Sequence, residues 1–467
     1  MMKTDSLYYG DCLDWMEKWD DQSVDLIYLD PPFKSDSNYN QLFRGSTDGT
    51  AQYRAFHDTW TWDTAAEKRL QSYERSIAKK AYNSINGFKQ ILGRSGMLAY
   101  LTYMAERLEE CQRLLKDTGS IYLHCDPTAS HYLKIVMDEI FEKNNFPFRN
   151  EIIWHYYNGT SNIKCAHVRK HDVIFFYSGG LADRRFNEDE AREPYIENSN
   201  FVKNPHAYKD KYKPHPLGKR MHDVWRIPTI NNMAKERLGY PTQKPESLLE
   251  RIVKVSTAEG DIVLDPFCGC GTTVAVAKKL NRQFVGIDIS SFAIDLIRDK
   301  RLCDPSVPVY GIPLTLNQAK KLAREQPFNF ESWAVTRLPG FAPNTKQVAD
   351  GGVDGRATIA DQPSNWESKL ALAQIKGGKF NIDHLCAFIH VINRDNAALG
   401  CFVTLEPVDT PRSKREIAQL SNIYVEGVPF PRMQIWSIKD YFDNQFARLP
   451  IMNDPYTGKP MRQLEIF

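Results

Sequence analysis

The chain is 467 residues long, 42% hydrophobic and 25% charged, which is too long for one ordinary domain and too apolar for wholesale disorder; two or three folded domains are expected. The net charge is only +2, so no global field draws the protein to polyanions, and any nucleic-acid contact must come from local patches. No N-terminal signal region and no long apolar run is visible, and nine scattered cysteines suit reduced thiols; the expectation is a soluble cytoplasmic protein with no membrane partner.

Residues 7–33 read as strand, turn, short helix, strand. The turn carries Gly10 and Asp11 before a helical start at Leu13. Asp11 is either a helix N-cap or a ligand group at a strand end. Residues 26–29 (Leu-Ile-Tyr-Leu) form a short apolar run followed by Asp30, Pro31, Pro32 and Phe33. Neither proline continues a sheet ladder, so the strand stops at Asp30. A carboxylate at the carboxyl end of a parallel strand sits where open α/β sheets bind ligands. With rigid prolines and the flat ring of Phe33, that corner suits a planar amine.

Residues 34–95 read as a long loop with helical turns near 65–92, a candidate lid or binding loop. A helical period marks 97–116, with Leu98, Leu101, Met104, Ala105, Leu108, Cys111 and Leu115 on one face and Gly119 just beyond. A second strand over 120–125 ends at Asp126 and Pro127, and a helix follows over 128–141. This rhythm predicts a doubly wound sheet. Strands are expected at 151–158 and 172–178, and then the pattern breaks down until about 236. Within that break, 203–226 holds seven Lys or Arg and two Asp, with Tyr208, Tyr212 and Trp225 among them and His206, His215 and His222 alongside. It is either a nucleic-acid contact surface or a solvated loop.

Regular structure returns with a rigid turn at 240–245 (Tyr-Pro-Thr-Gln-Lys-Pro) and a helix over 246–257. A strand over 261–265 leads to a glycine-rich turn at 266–273, a helix over 274–280 and a strand over 284–288 that ends at Asp288. Strand, Gly-x-Gly, helix and strand-end acid together make a nucleotide-cofactor geometry. The turn is not Gly-x-Gly-x-x-Gly and lacks a Gly-Lys-Ser/Thr cradle. A ligand with an adenosine, a carboxylate and little phosphate fits better than NAD or ATP, and S-adenosylmethionine is such a ligand. Cys268 and Cys270 have no partner pair at zinc spacing, so no metal is expected there.

These residues carry a family resemblance. Residues 265–273 (Asp-Pro-Phe-Cys-Gly-Cys-Gly-Thr-Thr) resemble the cofactor motif of DNA amino-methyltransferases, and Asp30 to Phe33 resembles their catalytic motif. The catalytic motif comes first, an order similar to the β class, whose target-recognition region lies between the two motifs, here about 155–236. Cys270 departs from the small residue, such as Ser, usual at that position. The resemblance implies a Rossmann-like sheet over 1–301 that uses S-adenosylmethionine on double-stranded DNA. It implies catalytic roles for Asp30, Pro31, Pro32 and Phe33. Cofactor contacts are implied at Asp11, Thr242, Gln243, Lys244, Asp265, Phe267, Gly269, Gly271, Thr272 and Asp288. The target is the exocyclic amine of a flipped base, adenine N6 before cytosine N4, because Asp in first place leans to adenine among relatives. β-Class relatives are often dimers, so a homodimer is an expectation too.

After a proline-marked connector at 302–326, a smaller unit over 327–467 reads helix, strand, strand, helix, strand (328–335, 355–359, 370–375, 384–393, 401–405). Asp354 lies before one strand and Gln374 and Lys376 end the next. They resemble the Mrr-like branch of the PD-(D/E)xK nucleases, with Glu331 as the upstream helical acid. That resemblance implies a Mg2+ ion on Asp354 and Gln374, and a restriction-modification protein with a fused restriction-endonuclease-like α/β domain. The alternative is a cytosine-N4 enzyme whose C-terminal module only binds DNA.

Overall fold

The computed structural model describes residues 1–32, 40–42, 52–54, 60, 62–156, 167–180, 185–195, 203, 215–231, 233–240, 242–344, 352–455, 458 and 460–461. Phe33, most of the 34–61 loop, and His206, Tyr208 and Tyr212 of the basic segment lie outside these residues.

Local sequence sets the first elements. β1 (Ser6–Tyr9) and β2 (Val24–Leu29) are buried along their whole length, and α1 (Cys12–Met16) between them is N-capped by Asp11, whose side chain accepts from the Leu13 N–H. β2 ends before Asp30, as the two prolines require. α2 (Thr64–Arg75) and α3 (Tyr82–Leu92) are full helices where the sequence predicts only helical turns. α4 (Gly96–Leu114) buries the periodic face, Leu98 to Cys111.

α4 stops two residues short of the predicted end. Leu115 already belongs to β3 (Leu115–Cys125), paired with Val24, and Lys116 holds Asp25 in an ion pair. Strand pairing therefore overrides the helical period there. Gly119 is no helix cap: it lets β3 pass close to Leu115 and the Asp25 carbonyl, where a Cβ would come within 2.8 Å and 2.9 Å.

α5 (Ser130–Phe141) follows, then β4 (Phe148–His155), β5 (His171–Ser178) and the short β6 (Val224–Arg226). Trp225 is 7% exposed and the Trp154 indole donates to the Ile227 carbonyl. Trp225 is therefore core, not part of an open nucleic-acid surface. α6 (Glu246–Ser256), β7 (Ile262–Asp265), α7 (Thr272–Lys279), β8 (Gln283–Asp288), α8 (Ser291–Leu296) and β9 (Val309–Tyr310) complete the unit.

Among the described residues these strands form one nine-stranded sheet, in the order β6-β4-β5-β3-β2-β7-β8-β1-β9. The run β3-β2-β7-β8-β1 is parallel and β5 is antiparallel to both neighbours. After β2 the chain moves to β3 on one side; after β7 it moves to β8 on the other. The strand order thus reverses between β2 and β7, where an open α/β sheet opens a crevice at its carboxyl edge.

The segment 302–326 is more than a connector. β9 extends the large sheet, and α9 (Leu316–Glu325) is a helix capped by Thr315 that buries Ala319 and Ala323. Its sparse apolar stripe, behind three prolines, hides it from periodicity. Then come α10 (Pro327–Val335), β10 (Ala342–Pro343), β11 (Gly355–Thr358), β12 (Leu370–Lys376), α11 (Ile382–Arg394), β13 (Leu399–Thr404) and β14 (Met433–Ser437). They build a second, five-stranded sheet, β10-β11-β12-β13-β14, antiparallel up to β12 and parallel after it. The order helix, strand, strand, helix, strand is the expected one.

The two sheets share a core that includes Leu7, Tyr9, Trp333, Val335 and Ala373. Polar contacts pin α10 and the turn after it to the first unit: Tyr9 Oη donates to the Asn329 carbonyl at 2.6 Å, and Arg337, just past the end of α10, pairs with Asp295 of α8. No helix among the described residues is long and apolar enough to cross a membrane.

Candidate active site

The strand ends at the switch point converge. Register places Val263 beside Leu26 and Leu264 beside Ile27, so Asp265 and the turn after it run next to Asp30. Tyr9 pairs with Asp288, so Gly10 and Asp11 lie next to the end of β8. Asp11, Asp30, Pro32, Thr242, Gln243, Lys244, Asp265, Phe267, Gly269, Thr272 and Asp288 all line one cleft of about 920 Å³, counting its open mouth. These are positions 11 to 288 of the chain, brought together by parallel strand pairing and, for the turn at 242–244, by contacts such as Lys244 with Asp30 and Thr272 with the Lys244 carbonyl. Pro31 is buried and Phe33 lies outside the described residues.

The glycine turn is built by backbone geometry. Gly269 and Gly271 both have positive φ, +50° and +75°. A Cβ on Gly271 would stand 2.6 Å from Ile297 Cγ1, so this residue is barred from a side chain by conformation and by space. The Gly269 N–H donates to Asp288 Oδ2 at 2.8 Å and the Ser290 N–H to Asp288 Oδ1 at 2.8 Å. Gly271→Ala is expected to destabilise the protein by about 1–3 kcal/mol. Gly260→Ala is the control in the same thermal melts, because Gly260 also has positive φ (+82°) but nothing within 4 Å of an added Cβ. Equal losses in the two variants would show that Ile297 yields and that packing at the turn does not matter.

Electrostatics set this cleft apart. Four carboxylates face it, and Lys244 is the only Lys, Arg or His among the described lining residues. Burial pushes Asp265 up to about 7, against hydrogen bonds from Thr273 and the Phe267 N–H; burial also pushes Asp288 up to about 6. Lys244 donates to Asp30 Oδ2 at 2.5 Å. Gln243 braces the cleft wall: its amide donates to the Glu236 carbonyl and accepts from the Leu238 N–H.

Asp11 is the helix N-cap that the sequence offers, and it also faces the cleft. It accepts on both oxygens from Arg107 Nη2, at 2.7 Å and 2.6 Å. The sequence motifs do not single out Arg107, or the cleft residue Tyr103 on which it stacks at 3.3 Å. The available signal is an arginine inside the apolar period of α4, which a buried face tolerates only when paired. Tyr240 opens the rigid turn that the sequence marks but is not among the implied cofactor contacts, while Arg301 and a buried polar chain escape the motifs. In that chain Tyr28 Oη meets His124 Nδ1 at 2.9 Å, and His124 Nε2 meets Asp172 Oδ2 at 3.1 Å. It fixes the ring of Tyr28, which lines the cleft two residues before Asp30.

In the second sheet, the Asp354 N–H donates to the Ala373 carbonyl, and its carboxylate accepts from the Ile375 N–H at 2.7 Å. Gln374 Nε2 donates to the Gly352 carbonyl, while its Oε1 is buried with no hydrogen-bond partner among the described residues. Gln374 and Lys376 alternate with Ala373 and Ile375, and it is these latter two that pack with α10. Glu331 is carried on α10. No group of three or more His, Cys, Asp or Glu suited to a metal occurs among the described residues.

A family model described as DNA methylase (N6_N4_Mtase) matches residues 24–299. Type II methyltransferase M.BglII of Bacillus subtilis is 35% identical over 48% of this chain and 62% of its own, so less than two thirds of that relative is spanned. Type II methyltransferase M2.MboI of Moraxella bovis is 27% identical over 61% of this chain and 83% of its own. A protein named DNA adenine methyltransferase YhdJ, from Escherichia coli K12, is 26% identical over 61% of this chain and 79% of its own.

Proposed function

The chain belongs to the N6/N4 DNA methylase family, whose model covers residues 24–299, and on that premise we propose that it is a site-specific DNA methyltransferase acting on the exocyclic amine of a flipped base, adenine N6 first, with S-adenosylmethionine as donor. The observation that carries this reading is the acidic cleft at the switch point, where Asp30 faces the glycine turn across adjacent strands. The residues fit that donor. Its net charge is positive, which suits four carboxylates. Asp11 and Asp288 are acceptors for an amine and for hydroxyls, Tyr103 and Tyr240 offer flat faces, and Lys244 is the cation for a carboxylate. When bound, S-adenosylmethionine supplies an electrophilic methyl group on a sulfonium.

The protein's own work is on the base. An aromatic amine is a poor nucleophile because its lone pair is delocalised into the ring. Asp30 accepts an amine N–H, which localises the lone pair, and its charge offsets the positive charge that grows on nitrogen. The rigid Pro31-Pro32 backbone keeps that carboxylate in place, and positioning of this kind is worth several kcal/mol, roughly 7–11 at best. Adenine is favoured over cytosine by Asp30 itself and by the relative named as an adenine methyltransferase.

Duplex DNA incubated with labelled S-adenosylmethionine and then digested to nucleosides tests this. N6-methyladenine is the expected product. N4-methylcytosine would replace the base assignment with the alternative, and unlabelled DNA would remove the function. Mapping the modified base also gives the recognition sequence.

For the C-terminal unit, which we place at 327–467 after the 302–326 segment, the second reading is a nuclease-like DNA module of a restriction-modification protein. The observation in its favour is that Gln374 Oε1, near Asp354, is buried with no hydrogen-bond partner among the described residues. One carboxylate and one neutral amide do not amount to a Mg2+ site. Plasmid incubated with the protein and Mg2+ separates the cases: cleavage abolished by Lys376→Ala supports a nuclease, and intact plasmid throughout leaves a DNA-contacting module.

A further inference from the structure

Lys244 stands between two demands. Its ammonium holds Asp30, and the two side chains are 10% and 16% exposed. Its backbone is tied to the glycine turn, because Thr272 Oγ1 donates to the Lys244 carbonyl at 3.2 Å and Arg301 donates to Thr272 Oγ1 at 3.3 Å. A bond between ammonium and carboxylate is stronger than one from a neutral N–H, so a base amine does not displace Lys244 from Asp30 unaided. An amine nitrogen that gains a methyl also gains positive charge, and a nearby ammonium in a mostly buried site opposes it. Asp30 is therefore least useful to the target while Lys244 is on it.

Resting on the methyltransferase reading of the cleft, we propose that Lys244 is a positioning residue that latches Asp30 and releases it when a carboxylate-bearing nucleoside enters the cleft. No other cation stands among the described lining residues, so the ligand carboxylate and Asp30 compete for one ammonium. Ligand binding and release of Asp30 are then one linked equilibrium, and weakening either partner strengthens the hold of the other. The catalytic acid becomes available to the base only once the donor is in place.

Calorimetric titration with two probes tests the latch: S-adenosylhomocysteine has the carboxylate and 5′-methylthioadenosine lacks it. Asp30→Asn loosens the hold on Lys244. It is expected to tighten S-adenosylhomocysteine by on the order of fivefold or more, and to leave 5′-methylthioadenosine within about twofold. In a Lys244→Met background the same Asp30→Asn change should have no effect; Lys244→Gln completes the cycle if Lys244→Met does not fold. The latch is overturned by equal tightening of both probes, by tightening that survives without Lys244, or by none. If the wild-type protein binds neither probe, the reading of the cleft fails first, and the latch falls with it.

Discussion

Asp30→Ala is expected to lower single-turnover methyl transfer to DNA by about a thousandfold or more, while S-adenosylhomocysteine binding persists or tightens. Asp30 is the carboxylate at the end of β2 with only partial access to water, and Lys244 is its hydrogen-bonded partner. Removing one preorganised partner of a developing charge in such a site lowers turnover by roughly 10²–10³, or about 3–4 kcal/mol. Here a full negative charge is lost as well, and the Lys244 ammonium is left beside the amine. The two effects add in the same direction. Asp30→Asn should fall between wild type and Asp30→Ala, since an oxygen acceptor remains. Transfer from labelled cofactor that is unchanged in Asp30→Ala would end the assignment of this residue, whatever the fate of the fold.

The second large effect is on stability and pH. Burial raises the Asp265 carboxyl from its ordinary 3.8 to about 7. Between those values the folded chain holds a proton that the unfolded chain has released. Stability therefore falls as pH rises from about 4 to about 7, and it stays reduced above that. A rise of that size corresponds to something on the order of 4 kcal/mol. Asp288 contributes in the same direction over a shorter span, up to about 6. Asp265→Asn preserves the oxygen that accepts from the Phe267 N–H and removes the buried charge. The variant should melt higher than wild type at pH 8 and match it near pH 4. Thermal melts of both proteins across that range check it. A variant less stable than wild type at pH 8 would mean that Thr273 and Phe267 more than repay the burial of the charge.

Both predictions begin at residues that the sequence alone singles out. Asp30 is legible because two prolines must end a strand, and Asp265 because an apolar run feeds a glycine turn. The rhythm of helix and strand predicts a doubly wound sheet, and the large sheet reverses its strand order between β2 and β7. Local pattern misleads where distant pairing outweighs it. Leu115 fits the period of α4 but pairs with Val24. Trp225 stands in a basic segment but is held in the core beside Trp154. α9 hides in a connector because its stripe is only a few residues wide.

The C-terminal unit shows the same division more sharply. The succession of elements follows from apolar runs and turns. The face of β12 on which Gln374 falls does not, because side-chain alternation is read only once register and packing are known.

The chain's own pattern marks the candidate residues: a strand-end acid locked by prolines, a turn only glycine can make, and an acid closing the next strand. Those are local demands of φ, ψ and hydrogen bonding, and they act wherever the segment ends up. Partnership is settled only by the folded sheet. Lys244 and Asp30 are 214 positions apart, and Arg107 reaches Asp11 across 96. No local rule encodes such pairs, because parallel strands meet through crossovers whose register depends on the whole core.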